Sequence, residues 1–387
     1  MIWIIIGGGI QGCTLATHLV QISGVNSKDI KIIDTHSEPL HLWKELTNRT
    51  GMEYLRSPGV HHIDPKAFSL KTFGKNRASK SFYQPYDRPA LPLFNEHCNS
   101  TIENNNLNQC WVQGTVIQIS KRSNKWYVLT DDKRSYSAEN ICLAIGVTDA
   151  PYWPDWARTL QQKGQSVYHL FDQNFPLITE RDTPISVIGG GISAVQTALL
   201  YARQYPGKVS LVMRHPFRVH QFDSPPGWLG PKEMHKFSQI KDYEQRRTLI
   251  KHVRHKGSIP RELHLEIKKA HNKRYLDIIQ TESFQDHCQA AKTIVLATGF
   301  EQKPPGNNWL KELIQTHNLQ CAKCGYPIVN HHLEWTRGLY TIGALAELEL
   351  GPVSRNIAGA RRGANRIALH QKNVIKTTDK KKRNTYQ

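Results

Sequence analysis

What the chain lacks narrows its class before any motif is read. No apolar segment approaches the roughly 20 residues that a membrane-spanning helix needs, so no such span is expected. The apolar opening Met1-Ile-Trp-Ile-Ile-Ile has no basic residue ahead of it and runs straight into glycines, which reads as a buried strand and not as a secretory leader. Cysteine is sparse: seven residues, an odd number in no regular framework, make no disulfide scaffold and suit a reducing, cytoplasmic setting. No Cys–His spacing completes a zinc site. Negative charge is short as well, with 32 Asp and Glu against 51 Lys and Arg and a formal charge of +19. Nucleic acid, an acidic surface and an anionic small ligand all fit such a surplus. The absence of any zinc-finger, homeodomain or RNA-binding signature argues against nucleic acid. The basic residues are scattered apart from Lys380-Lys381-Lys382-Arg383, which reads as a solvated tail.

What is present is an ordinary globular composition, 39% hydrophobic and 21% charged over 387 residues, enough for two cores. One motif occurs twice. Ile2 to Ile6 reads as a strand, Gly7-Gly8-Gly9-Ile10-Gln11-Gly12 as a turn, Cys13 to Ile22 as a helix and Ile30 to Asp34 as a second strand. The copy is Ile185 to Ile188, then Gly189-Gly190-Gly191-Ile192-Ser193-Ala194, a helix to Arg203 and the strand Val209 to Met213. Strands are also expected at Trp126 to Thr130, Asn140 to Ala144, Thr293 to Leu296 and Gly338 to Ile342. A boundary is placed near Pro176, and an amphipathic helix over Val353 to His370, with Val353, Ile357, Ala360, Ala364, Ile367 and Ala368 on its apolar face.

In G-x-G-x-x-G the first glycine permits the tight turn, the second lets the backbone approach a pyrophosphate and the third lets helix pack on strand. The helix N-terminus then faces the phosphates with free N–H groups and a positive dipole end. Gly7, Gly9 and Gly12 take these roles in the first copy, and Gly189, Gly191 and Ala194 in the second. Asp34 stands about 20 residues beyond the third glycine, where a carboxylate accepts from ribose hydroxyls. The second copy has Met213-Arg214-His215-Pro216 there instead. A carboxylate would repel the 2′-phosphate of NADP, whereas Arg214 can pair with it, so NADPH is expected over NADH. The alternative for Arg214 is a solvated charge.

These two fingerprints, with Leu143-Ala144-Ile145-Gly146 and Leu296-Ala297-Thr298-Gly299-Phe300, resemble the flavoproteins with two dinucleotide-binding domains. The resemblance covers nearly the whole chain and implies an α/β fold of two Rossmann-like domains, the nicotinamide domain inserted in the FAD domain. It places FAD binding in 1–175 and 291–372, NAD(P) binding in 176–290 and a basic tail in 373–387. It assigns FAD to the first turn, with Gly343 as the late glycine that contacts flavin, and NADPH to the second. Trp43, Gly51-Met52 and Leu55-Arg56-Ser57-Pro58 are similar to the flavin-lining segment of the N-hydroxylating monooxygenases of lysine and ornithine, and Phe300 to the aromatic that follows the Ala-Thr-Gly motif there. Tyr168-His169 falls roughly where those enzymes carry a histidine motif, with Gly164 one residue too far away. Gly343 is followed by Ala344 in place of the usual aspartate, for which Glu347 is a candidate substitute. Phe222-Asp223-Ser224, Gly227 to Lys232 and Leu350 to Asn356 resemble the FAD/NAD(P)-binding group related to those enzymes.

The implied activity is hydroxylation of an amine-bearing small molecule, an amine or amino acid, with O₂ as co-substrate. Arg56, His62 and Asn356 are the expected catalytic groups near the flavin. For His62 a structural histidine is the alternative reading. Cys321-Ala322-Lys323-Cys324 can be a redox dithiol or a structural pair. Asp223 to Lys232 reads as an insertion with Trp228 and Lys232 as contacts, either a closing loop or a self-packed surface loop. Two further classes stay open, a disulfide or quinone reductase and a non-catalytic FAD/NADPH-binding protein.

Overall fold

The computed structural model describes residues 1–75, 81–288, 290–306 and 308–385, with side chains beyond 378 undescribed. The first unit opens with β1 (Trp3–Ile6), α1 (Ile10–His18) and β2 (Ile30–Asp34), followed by β3 (Trp111–Gln113). A small antiparallel sheet of β4 (Val116–Arg122), β5 (Lys125–Thr130) and β6 (Ser135–Ala138) precedes β7 (Asn140–Leu143). The second unit holds β8 (Ser166–His169), β9 (Ile185–Ile188), α2 (Ile192–Gln204) and β10 (Val209–Met213). It continues through α3 (Pro231–Gln239), α4 (Tyr243–Val253), β11 (Asp277–Gln280) and β12 (Thr293–Leu296). The chain then returns to the first unit with β13 (Glu334–Thr336), β14 (Leu339–Thr341), α5 (Glu347–Leu350) and α6 (Ile357–Thr385).

Two sheets result, ordered β13-β14-β7-β1-β2-β3 and β8-β12-β9-β10-β11. Their central strands pair in parallel. Every residue of β1, β9 and β12 is buried, because helices cover both faces of such a sheet and the strands must be apolar throughout. This is the expected architecture of one α/β unit inserted in another.

The crossings differ from the expected ones. β8 lies before residue 176 and β12 after 290, yet both belong to the second sheet, where they pair with each other. The chain changes unit near 150 and 300, where two connectors zip together: Tyr152 N donates to Gly299 O at 2.9 Å and Glu301 N to Ala150 O at 2.9 Å. The proline at 176 marks only a loop inside the second unit. The last helix also departs from expectation. Its apolar face is buried as read, but it starts after a turn at 353–356 and continues to Thr385, so 373–385 is helical where a tail was expected. Residues 386–387, and the side chains of Lys380 to Arg383, lie outside the described residues.

The insertion at 223–232 is neither a free lid nor packed on itself. Trp228 is buried with Met234, Phe237 and Ile250 of the second unit against Tyr326, Leu348 and Val353 of the first. The Trp228 and Leu229 carbonyls accept from the Arg362 guanidinium at 2.8 and 3.1 Å. Lys232 is exposed. The insertion therefore bolts the second unit to the first. Emptying such a site loses both transfer free energy and packing, about 3 kcal/mol or more for a tryptophan. Trp228→Ala should lower the thermal unfolding midpoint by several degrees, whereas Val219→Ala, at a site 39% exposed, should leave it nearly unchanged. Equal midpoints for the two variants would contradict the docking role.

Candidate functional site

The two glycine turns are built alike. Gly7 has φ +103° and Gly189 φ +145°, backbone that a side chain resists. A Cβ on Gly7 would stand 2.7 Å from Ala144 O, and one on Gly189 2.7 Å from Ala297 O. Each turn thus backs onto the same point of the strand that ends in Ala-Ile-Gly or Ala-Thr-Gly. Gly12 carries the close helix approach, since a Cβ there would lie 1.9 Å from Gly7 O. Gly9 and Gly191 begin α1 and α2 in extended backbone with no side chain capping either helix and no acid in either first turn. A Cβ on Gly9 meets nothing within 4 Å. Uncapped N–H groups and open floor suit a phosphate, which needs donors and a positive field without a competing carboxylate.

Asp34 completes the first turn. Its Oδ2 accepts from Gly8 N at 2.6 Å, and its Oδ1 from His36 N at 2.9 Å and the His36 ring at 2.7 Å. Four lone-pair sites leave it capacity for a ribose hydroxyl. Asp149, on the first connector, is held above the usual carboxylate range by burial and then by Asp34. The indole of Trp111 covers Gly8, where a Cβ would fall 2.0 Å from the ring. No sequence signal marked Trp111, because it sits on a three-residue edge strand. From the return segment, Gly343 (φ +69°) lies against Gln11, which donates to Ser354 O at 3.2 Å and Asn356 O at 3.4 Å. These residues fit an FAD: a phosphate cradle, a ribose acceptor and a glycine closing the far side.

At the second turn lies a cleft of about 930 Å³. Gly189 to Ser193, Arg214, His215 and Arg218 line one end. Arg214 is exposed and has no hydrogen bond or ion pair among the described residues, which leaves it available to a 2′-phosphate. Phe171 and Phe300 stack at 4.8 Å on the connector side. Beside them His169 is fully buried, bonded to Thr298 Oγ1 at 3.2 Å and accepting from Phe171 N at 3.2 Å. Burial lowers its pKa to about 4, so this histidine is a neutral strut of the crossing.

The three expected catalytic groups do not meet. Arg56 lines the cleft, but its guanidinium is spent between the units, on Asp223 at 2.6 Å, Gln221 O at 3.0 Å, His220 O at 2.6 Å and Ser258 Oγ at 2.9 Å. His62 is 0% exposed, and its pKa falls to about 3 through burial and then the Arg361 charge. The structural alternative describes it. Asn356 caps α6, its side-chain oxygen accepting from Gly359 N at 3.0 Å and its backbone oxygen from Gln11. Glu347 is not available as the missing acid either. It is 0% exposed and paired with Arg247 from α4 and, at 2.7 Å, with Arg355.

Nor does the Cys-x-x-C segment reach the cleft. Cys321 and Cys324 are unbonded and half-buried in a tight turn with one bridge, Cys321 to Pro327. Burial and then Cys324 raise the Cys321 thiol pKa. The other five cysteines are buried, and none of the seven lines the cleft.

Solved structures share this fold. The ornithine hydroxylase PvdA from Pseudomonas aeruginosa superposes with TM-score 0.73 at 15% identity, covering 96% of this chain and 98% of that one. OTEMO in complex with FAD and NADP gives 0.62 at 13%, covering 97% and 84%. The bacillithiol disulfide reductase Bdr from Staphylococcus aureus gives 0.59 at 16%, covering 96% and 97%. No curated protein matches by sequence. No described helix is long and apolar enough to cross a membrane. The family model for pyridine nucleotide-disulphide oxidoreductases matches residues 4–343, and with both of its nucleotide turns intact the chain belongs to that family, as an oxidoreductase built for FAD and NADPH.

Proposed function

We propose that the protein is a flavin-dependent monooxygenase that hydroxylates a small molecule, with NADPH as electron donor and O₂ as co-substrate. The observation that carries this reading is the cleft itself: it opens on the second glycine turn, reaches residues of both units and contains no cysteine. A disulfide reductase needs a thiolate beside its cofactors, whereas none of the seven cysteines lines the cleft and the half-buried Cys321 thiol, its pKa raised, is a poor nucleophile. Bound FAD supplies the two-electron relay between nicotinamide and O₂. The chain's own part is to bind, orient and shield. Gly7, Gly9, Gly12, Asp34 and Gly343 hold FAD; Gly189, Gly191, Ala194 and Arg214 hold NADPH. Arg56, His62 and Asn356 act as positioning residues: Arg56 fixes the cleft wall, His62 the segment 61–67 through Arg361, and Asn356 the helix end that rests on Gln11. The resemblance to ornithine hydroxylases favours a substrate that carries an amine. A cytoplasmic setting agrees with seven unbonded cysteines.

Two measurements test this. Arg214→Ala removes a charge-assisted bond to the 2′-phosphate, so KM for NADPH should rise about tenfold or more while KM for NADH moves less than about threefold. Equal effects would show that Arg214 does not read that phosphate. The double variant Cys321→Ser with Cys324→Ser should keep NADPH oxidation and O₂ uptake within about twofold of the parent, as surface changes away from a site do. Loss of activity in that variant would favour dithiol chemistry.

A further inference from the structure

The inference rests on the proposed NADPH assignment and concerns the other end of the same cleft. That end is lined by Arg56, Arg247, Lys251, Arg254, Lys256 and Arg355, with Asp223 as the acid among them. Asp223 is taken by Arg56 at 2.6 Å. Glu347, behind the wall, is taken by Arg247 and Arg355. Lys256 Nζ donates to Gln302 Oε1 at 2.8 Å, a neutral partner. Lys251 and Arg254 have no side-chain hydrogen bond or ion pair among the described residues.

Asp223 and Glu347 are thus already committed to these cations, whereas the other two carboxylates that line the cleft, Asp155 and Glu282, make no ion pair with them among the described residues. The cations sit close enough to weaken one another: the Arg254 pKa falls to about 10 through burial and then the Arg355 charge, and that of Lys256 falls through burial, then Arg254, Arg247 and Lys251. Like charges held close together raise the free energy of the empty cleft, and an anion that pairs with them lowers it. The nucleotide phosphates have their own donors, the uncapped start of α2 and Arg214. The two ends adjoin, since Gly257 packs on Gly191 of the turn. A free alkylammonium would be repelled here, so the amine-bearing substrate proposed above must also carry an anionic group.

We propose that Lys251, Arg254 and Lys256 bind the acceptor substrate through a carboxylate or phosphate group, so that the molecule modified by this enzyme carries net negative charge. These residues stand at the end of α4 and in the loop after it, on the helix whose Arg247 also pairs with Glu347 of the first unit.

The test uses FAD-loaded protein saturated with NADP⁺, titrated calorimetrically at low ionic strength with inorganic phosphate and separately with succinate. At least one probe should bind with NADP⁺ in place. Its affinity should fall about tenfold or more in Arg254→Gln and in Lys251→Gln, each the loss of one charge-assisted bond, and stay unchanged in Arg214→Gln. NADP⁺ affinity should behave oppositely, falling in Arg214→Gln and moving less than about threefold in Arg254→Gln. The carboxylate and phosphate arms decide which group is preferred. Binding of neither probe, displacement of the probe by NADP⁺, or equal loss of NADP⁺ affinity in the Arg254 and Arg214 variants would overturn the proposal. Failure of the parent protein to bind NADP⁺ would instead refute the nucleotide assignment beneath it, a separate readout.

Discussion

The contact on which the arrangement depends is the carboxylate of Glu347, wholly buried between Arg247 and Arg355. Glu347 begins α5 of the returning FAD unit, and Arg247 projects from α4 of the inserted unit. A buried carboxylate is tolerated only where positive partners and hydrogen bonds replace its lost water. Arg355 supplies both charge and a hydrogen bond to Oε2 at 2.7 Å, Arg247 adds its charge at Oε1, and Tyr326 Oη accepts from Arg355 at 2.7 Å to hold it in place. Removing either arginine strands a buried charge, which costs more than the pair itself contributes. The contact is therefore better understood as fixing position than as adding stability.

From that point the geometry of the cleft follows. Arg246, one residue away, bonds to Leu348 O at 2.9 Å and to Glu349 at 3.0 Å. Arg362 holds the turn at Trp228, Arg88 reaches across to Glu262 and Arg203 to Glu53. The joint between the units is thus made largely of arginine forks on carboxylates and carbonyls, whose fixed geometry resists sliding. It holds the two glycine turns in a set relation, the first closed by Gly343 and Gln11, the second open to the cleft. The same use of arginine explains much of the basic surplus: part of it is consumed inside the joint, and part lines the cleft unpaired.

The elements legible in the sequence are those fixed by local rules. β2, β9, β10 and β12 stand where the apolar runs placed them, and both turns follow because only glycine satisfies a positive φ and a 1.9 Å approach to backbone. Arg214, at the end of β10, was readable for the same reason. Residues whose partners lie far along the chain were not. Nothing near Arg56 reveals that it will bond to 220–223, nor near Glu347 that Arg247 will claim it. Trp228 read as a possible contact because composition cannot tell an exposed tryptophan from one that docks a domain. The helix beyond 372 was missed because its residues carry no apolar period, although lysine, arginine and asparagine continue an established helix at little cost. The boundary error at 176 had a similar source: strands β8 and β12 are four residues each, and only their mutual pairing assigns them to the second sheet.

The central claim is that one chain holds FAD at Gly7 to Gly12 and receives electrons from NADPH at Gly189 to Ala194. Anaerobic mixing of the FAD-loaded protein with NADPH tests it most directly. The account requires FAD to bind with one equivalent per chain and its visible absorbance to bleach on adding NADPH, with NADH acting more weakly. A protein that takes up no FAD, or a bound flavin that stays oxidised with either nucleotide, would contradict it.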